Sequence, residues 1–355
     1  MTTEHTTELI PCPDDDTVEG VVDAVVVDGG QALVLPDDAL TESAAARVAD
    51  GWAVSTRTGY ARDWRTFTAW CSTTHRAPLP ATAETLASYT DHLASAGAAP
   101  ATVDRALGAI ASRHAAAGHA VSTKAARMVL RSYRREWAGA GGRRKQAPAL
   151  SVEDLRAMLD AAGQDLVGLR DRTLLLLGYA MMARRSELAA LDITDLRTVP
   201  DGLEVFVATS KTDKDSAGTT VAIPYGTHLS TCPVRTASAY LATLANAGVT
   251  TGPLLRSIDR HGRLAGTPDA AGRGTGRMSG AGINLVVKRL ATAAGIEGVT
   301  AHSLRAGPAT AAAAAGVPRA WIARQGRWSE ASTAVDSYIR PADAWRDNPM
   351  RKVGL

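Results

Sequence analysis

The most informative stretch of the chain is residues 302–340, which read HSLRAGPATAAAAAGVPRAWIARQGRWSEASTAVDSYIR. A histidine and an arginine, His302 and Arg305, stand three positions apart at its start. Residues with this spacing share one face of a helix, so both side chains can converge on one anion. Trp328 and Tyr338 follow in the same stretch. A histidine–arginine pair alone is common by chance, whereas the pair followed by this tryptophan and tyrosine is much more specific.

Two cationic residues upstream extend this set. Arg184 follows an apolar run that predicts a buried helix, and Glu187 lies three positions after it. A charged residue that points inward after a buried helix requires an anionic partner. Lys211 lies in the turn between two predicted strands, where a lysine is either surface decoration or a mobile proton donor. The residues alone leave open whether Arg184 or its neighbour Arg185 faces inward.

These residue types together can break a phosphodiester bond. Guanidinium, imidazole and indole donors can neutralise the charge that develops on the phosphate. A tyrosine hydroxyl can act as the nucleophile, and a lysine ammonium can protonate the leaving oxygen. The single-residue alternatives are a buried structural tyrosine at Tyr338 and a plain core tryptophan at Trp328.

The order of these residues resembles that of the tyrosine recombinase (phage integrase) family, with Cre-like and actinobacterial integrases as the nearest look-alikes. The resemblance implies an enzyme that cleaves and rejoins DNA at specific sites through a 3′-phosphotyrosyl intermediate and a Holliday junction. The outcome could be integration, excision or resolution. It implies no cofactor and no metal ion.

The resemblance also assigns roles within this sequence. It selects Arg184, which stands three positions before an acid, and makes Glu187 a supporting residue. It places the general acid at Lys211, with Lys214 in reserve, and the nucleophile at Tyr338. The implied catalytic set is Arg184, Lys211, His302, Arg305, Trp328 and Tyr338. Trp328 stands where many relatives carry histidine, and an indole can donate a hydrogen bond and pack but cannot transfer a proton.

The implied fold is mainly α with a small β-sheet. A helical core-binding (SAM-like) domain and a mixed α/β catalytic domain would form a C-shaped clamp on DNA. The implied partners are double-stranded DNA recombination sites and three further copies of the chain in a homotetramer on DNA. Some members of such a family also use an accessory protein, which is a further candidate partner. Without DNA we expect a monomer or weak dimer. The alternatives are a type IB-like topoisomerase or telomere resolvase, and a catalytically silent DNA-binding relative.

Charge is distributed unevenly along the 355 residues, whose formal net charge is +3. Residues 1–40 contain ten acidic side chains and no Lys or Arg, which predicts a mostly disordered tail. The remaining residues hold 39 basic and 26 acidic side chains, a net charge of +13. A body this basic suggests a polyanionic partner. Three widely spaced cysteines and the lack of a long apolar run fit a reducing cytoplasm. The resemblance implies that this is the cytoplasm of a bacterium or of a phage host, with the protein at the nucleoid when it is bound.

Hydrophobic patterns and turn-forming residues divide the chain into four predicted segments. These are the tail at 1–40, a helical DNA-binding domain at 41–138, a Gly- and Arg-rich linker at 139–150, and the catalytic domain at 151–355. Helix starts are predicted at Ser55, Thr82, Pro100, Ser122 and Ser151, and further helices at about 233–246, 279–294, 302–315, 318–325 and 330–339. Strands are predicted at Glu204–Ala208 and Thr219–Ile223, and a short hairpin around Asp28-Gly29-Gly30. An aromatic stripe, Tyr60, Trp64, Phe67 and Trp70, is far more often core than a base-stacking surface.

Overall fold

The computed structural model describes residues 6–7, 24–25, 41–143, 147–208, 218–267, 275–329, 332–339, 348, 350 and 353. The helices are α1 (Glu42–Asp50), α2 (Val54–Thr73), α3 (Ala83–Ser95), α4 (Pro100–Ala116), α5 (Lys124–Gly139), α6 (Val152–Asp160), α7 (Leu166–Ala180), α8 (Arg185–Ala190), α9 (Pro233–Asn246), α10 (Gly280–Ala293), α11 (Ser303–Ala314) and α12 (Arg319–Gly326). The strands are β1 (Thr6–Thr7), β2 (Ala24–Val25), β3 (Leu196–Val199), β4 (Gly202–Val207) and β5 (Thr219–Pro224). The predicted fold class, mainly helical with a small sheet, is confirmed.

The chain divides into two compact units, Met1–Arg144 and Lys145–Leu355. The division falls within the segment predicted to be a linker, and residues 144–146 of that segment lie outside the described residues. Each unit has a hydrophobic core of its own. The C-shaped clamp concerns how the units are placed relative to each other and stays a prediction.

The first unit is a helical bundle built around the predicted aromatic stripe. Phe67 is fully buried, and Trp64 and Trp70 pack against the same core. The Thr82 side chain accepts a hydrogen bond from the Thr85 amide and caps α3, as the sequence predicts. Pro100 opens α4, where its missing N–H costs no helical hydrogen bond. Three of the four stripe residues therefore belong to the core rather than to a surface for stacked bases.

The second unit begins with a capping box. Ser151 Oγ accepts from the Asp154 amide at 2.9 Å, and the Asp154 carboxylate accepts from the Ser151 amide at 3.2 Å. The next helix, α7, buries Leu174 to Leu177 in the core and also buries the charged pair Arg170 and Asp171. Two glycines allow neighbouring segments to pack closely in this unit. At Gly178 of α7 an added Cβ would lie 2.8 Å from Leu304 Cδ1, and at Gly307 of α11 it would lie 2.2 Å from the Leu150 carbonyl oxygen.

The sheet of the second unit has the order β3-β4-β5, with both pairs antiparallel. The sequence patterns did not predict β3, because this strand has only four residues and its apolar and polar side chains do not alternate clearly. Val205 pairs with Val221, and both are buried. Val207 pairs with Thr219, so β4 and β5 are joined by the connection that contains Lys211. Lys211 and Lys214 lie outside the described residues.

Further details differ from the sequence-based predictions. Helix α2 starts at Val54 rather than after Ser55, and no side chain caps it. Strand β2 pairs with β1, whereas the predicted turn at 28–30 lies outside the described residues. None of the helices described here is long and apolar enough to cross a membrane.

His114 is buried in the first unit and both ring nitrogens are engaged. Nε2 accepts a hydrogen bond from the Ala81 amide at 2.8 Å, and Nδ1 donates to the Ile110 carbonyl at 2.8 Å. This arrangement requires the neutral ring. Burial lowers the pKa of His114, and the carbonyl of Ile110 offsets part of that effect.

We predict that acid destabilises the first unit through His114. The folded-state pKa is below the unfolded value of about 6.5, so the unfolded chain binds the extra proton first and stability falls as the pH drops through that value. An NMR titration of the His114 ring and the hydrogen-exchange rate of the Ala81 amide would measure the effect. A ring that titrates at or above the unfolded value would contradict it.

Candidate active site

The first element of the site is the corner between α7 and α8. Met181 caps the end of α7, and Met182 has a positive φ of 49°, which turns the chain sharply. Arg184 then occupies the N-cap of α8 and is half-buried, whereas Arg185 is exposed. The inward residue of the arginine pair is therefore Arg184.

Glu187 lies beneath this corner with 3% of its surface exposed. Its Oε1 accepts from Arg184 Nη1 at 2.7 Å, and its Oε2 accepts from the Arg184 amide at 2.9 Å. Arg327 Nη2 also donates to Oε2. Burial alone would raise the pKa of Glu187, but the charge of Arg327 and the hydrogen bonds from both arginines lower it below its usual value. The carboxylate is thus ionised and fixed between two guanidinium groups.

The second element is the start of α11. The Ala301 amide donates to Asn284 Oδ1 at 3.0 Å, which ties this start to α10. His302 is the N-cap residue, and Arg305 follows in the first turn with 2% of its surface exposed. Arg305 Nη1 donates to the Met182 carbonyl at 2.6 Å, so α11 is joined directly to the α7–α8 corner.

Arg305 has unused hydrogen-bonding capacity. Its Nη2 is buried and finds no acceptor within the part of the chain that the structure describes. Burial and the nearby charge of Arg184 lower the pKa of Arg305 to about 9, so it remains cationic at neutral pH. A buried cationic donor without an acceptor carries a large desolvation penalty, which an anionic ligand would offset.

Trp328 covers one face of Arg305. The guanidinium carbon lies 3.8 Å from the indole ring centroid, a close cation–π contact. Gly326 makes room for this ring, because an added Cβ would lie 1.7 Å from an indole carbon. The predicted packing role of Trp328 agrees with this geometry, and hydrogen bonding by its indole N–H stays a prediction.

Tyr338 lies in a short helical segment, 336–339, that packs on a small apolar cluster. Arg319 Nε donates to Asp336 Oδ1 at 2.7 Å, which ties this segment to α12. Thr310 Oγ1 donates to the Tyr338 carbonyl at 3.2 Å and ties it to α11. The Tyr338 hydroxyl lies 2.8 Å from His302 Nε2. The tyrosine is therefore held inside the site of its own chain.

His302 is suited to accept the Tyr338 proton. Loss of hydration lowers the pKa of its ring, and the positive charges of Arg305 and Arg184 lower it further. A neutral imidazole at neutral pH has one nitrogen available as an acceptor, and the 2.8 Å contact places the tyrosine hydroxyl there.

Comparison with known proteins agrees with this geometry. Residues 148–344 match the model of the phage integrase family. An integrase/recombinase XerD homolog of Selenomonas ruminantium is 33% identical over 330 residues, which cover 91% of this chain and 92% of that protein. The chain belongs to the phage integrase family of tyrosine recombinases.

Two further matches place this tyrosine recombinase among known relatives. The recombinase Cre of Escherichia phage P1 is 28% identical over 170 residues, 46% of this chain and 49% of Cre. The structure of the Tn1549 transposon integrase in complex with transposon right-end DNA matches at a TM-score of 0.57 with 13% identity, and covers 88% of this chain and 98% of that chain. The structural match supports the fold alone.

The structure brings most of the predicted site residues together. The described members are Arg184, Glu187, His302, Arg305, Trp328 and Tyr338. Lys211, the predicted general acid, and its reserve Lys214 lie outside the described residues. Arg327 lies in the quoted stretch 302–340, but the sequence patterns assign it no role. Its left-handed backbone and its contact with Glu187, 140 residues away, leave no signal in the local sequence.

We predict that sulfate, a divalent anion like a phosphate ester in shape, stabilises this tyrosine recombinase through Arg305. A ligand at ten times its dissociation constant adds roughly 1.4 kcal/mol, or about 3–6 °C in Tm for a unit of this size. Thermal unfolding in sodium sulfate and in sodium chloride of equal ionic strength would measure the increment. It should shrink in Arg305→Gln, and an unchanged increment there would contradict the assignment.

Proposed function

We propose that this protein is a site-specific DNA recombinase that cleaves and rejoins strands through a covalent link between Tyr338 and the 3′ phosphate. The observation that supports this most strongly is a pairing of two features. The Tyr338 hydroxyl contacts His302 Nε2 at 2.8 Å, and the buried Arg305 beside them presents an Nη2 group without an acceptor in the described chain. A nucleophile with its proton acceptor therefore lies next to an anion site.

The cleavage step follows from these contacts. Arg184 and Arg305 bind the non-bridging oxygens of the scissile phosphate and neutralise charge as it develops. The Tyr338 oxygen attacks phosphorus while its proton passes to His302 Nε2. The bond from phosphorus to the 5′ oxygen breaks, and this oxygen requires a proton, which we assign to Lys211. The products are a 3′-phosphotyrosyl ester and a free 5′ hydroxyl.

The ester conserves the energy of the broken bond, so a second 5′ hydroxyl can reverse the step without a nucleotide cofactor. Two rounds of exchange between partner duplexes pass through a Holliday junction. This requires four active sites, and we propose a homotetramer on paired DNA sites that assembles from monomers or weak dimers, with an accessory protein as a possible further partner. The bacterial or phage cytoplasm, at the nucleoid, is the compartment where such sites occur.

A type IB-like topoisomerase or a telomere resolvase would use the same tyrosine chemistry. The family relationship favours recombination, because the relative that aligns along most of the chain is named an integrase/recombinase. Relaxation of supercoiled DNA without exchange between duplexes would support the topoisomerase instead. Specific DNA binding without cleavage would support a silent DNA-binding protein.

We predict that Tyr338→Phe abolishes the covalent adduct. Removal of a nucleophile lowers the cleavage rate by at least about 1,000-fold while the aromatic ring still packs. Nicked duplexes tiled across the DNA that flanks the gene would trap the adduct, and denaturing gels would detect it. Tyr225→Phe is a matched control, because Tyr225 is an exposed tyrosine of the same unit. An adduct that survives in Tyr338→Phe would place the nucleophile elsewhere.

We also predict that each subunit cleaves with its own tyrosine. Tyr338 contacts His302 of the same chain, so a mixture of Tyr338→Phe and Arg305→Gln contains no complete site. The mixture should form no more adduct than the two variants do separately. Recovery of adduct in the mixture would show that a tyrosine enters the site of a neighbouring subunit.

A further inference from the structure

Arg327 is a buried arginine in a backbone conformation that arginine disfavours. It caps the end of α12 with φ 55° and ψ 46°, in the left-handed region. Residues with a Cβ are strained there, whereas glycine adopts the region freely. Only 7% of Arg327 is exposed. An arginine where glycine would fit with less strain indicates that its side chain makes contacts on which the structure depends.

The guanidinium of Arg327 contacts three parts of the second unit. Nη2 donates to Glu187 Oε2 in α8. Nη1 donates to the Met181 carbonyl at 3.1 Å and to the Gln325 carbonyl at 3.0 Å. These bonds join the end of α12 to the corner that carries Arg184.

Glu187 is consequently shared between two arginines. Its Oε1 accepts from the Arg184 side chain, and its Oε2 accepts from Arg327 and from the Arg184 amide. If Arg327 were removed, Arg184 would be the sole guanidinium partner of this carboxylate in the described chain. The carboxylate would then compensate more of the positive charge of Arg184. Less of that charge would remain to bind the phosphate.

Arg327 also fixes the position of Trp328, its neighbour in the chain. Trp328 stacks on Arg305, and Arg305 donates to the Met182 carbonyl. Two consecutive carbonyls, those of Met181 and Met182, therefore hold Arg327 and Arg305 side by side. Movement of Arg327 would shift Trp328 and Arg305 relative to Arg184.

We propose that Arg327 is a positioning residue for DNA cleavage. It binds Glu187, so that this carboxylate does not fully compensate the positive charge of Arg184 and that side chain stays directed toward the phosphate. It also aligns Trp328 and Arg305 with Arg184. The proposal rests on the proposed recombinase function. Arg327 acts through Glu187 and the Met181 carbonyl.

Arg327→Gly is the informative variant, because it removes the guanidinium and relieves the backbone strain at once. We expect adduct formation with a nicked duplex to slow by about 10- to 100-fold at saturating DNA, since small misplacements of catalytic groups have effects of this size. The DNA dissociation constant should change by less than about 3-fold, because a positioning residue mainly alters the rate of the bound state. Arg327→Lys should recover part of the rate, because an ammonium can still bind Glu187.

Arg324→Ala is the matched control, because Arg324 is an exposed arginine of the same helix. It should cleave at the wild-type rate. Combining Arg327→Gly with Glu187→Gln should slow cleavage by less than the two single effects multiplied together, because both changes remove the same contact. Additive losses, or a wild-type rate in folded Arg327→Gly, would overturn the proposal.

A measurement without DNA separates this proposal from the recombinase function. Arg327→Gly should increase amide hydrogen exchange at residues 183–188, while Arg324→Ala should leave it unchanged. If the wild type forms no adduct on any duplex, the proposed function fails, and the exchange result still decides whether Arg327 fixes the corner. Unchanged protection at 183–188 would overturn that role.

Discussion

The site depends on keeping several guanidinium groups close together in a nearly dry interior. Each buried ion loses hydration worth several kcal/mol, and like charges repel. Glu187 supplies the compensating carboxylate, with one oxygen for the Arg184 side chain and the other shared with Arg327. One carboxylate between the guanidinium groups of Arg184 and Arg327 leaves a net positive charge, and Arg305 increases it. That excess charge is what an anionic substrate neutralises.

The carbonyls that help to hold these arginines come from the turn just after α7. Backbone amides of residues 181–183 already bind carbonyls in the last turn of that helix, whereas the carbonyls of Met181 and Met182 lie beyond it. Arg327 from α12 donates to the Met181 carbonyl, and Arg305 from α11 donates to the Met182 carbonyl. The positive φ of Met182 lets the chain turn directly into α8. The turn that ends α7 and leads into α8 therefore also supplies the carbonyls that hold Arg305 and Arg327.

Local sequence signals predicted much of this unit. The Ser151 capping box, the buried helix α7 and the three-residue spacing of His302 and Arg305 are short-range features, and each lies where the pattern placed it. Arg184 and Arg185 are adjacent and chemically alike, so only the family resemblance favoured one, and burial agrees with it.

Long-range contacts escaped the sequence analysis. Arg327 binds Glu187 across 140 residues, and its φ of 55° is a backbone state that arginine rarely adopts. A sequence pattern predicts glycine at a position with a left-handed backbone. An arginine there is therefore interpreted as an exposed surface residue.

Tryptophan at position 328 suits a site in which the arginines bind the anion and His302 accepts the proton. The indole covers one face of the Arg305 guanidinium, whose buried Nη2 has no acceptor in the part of the chain that the structure describes. A second imidazole there would add another titratable group beside two arginines, and its protonated form would increase the repulsion that Glu187 already has to balance. An indole carries no titratable proton at neutral pH. Proton acceptance therefore rests with His302, whose lowered pKa keeps it neutral and whose Nε2 already contacts the Tyr338 hydroxyl.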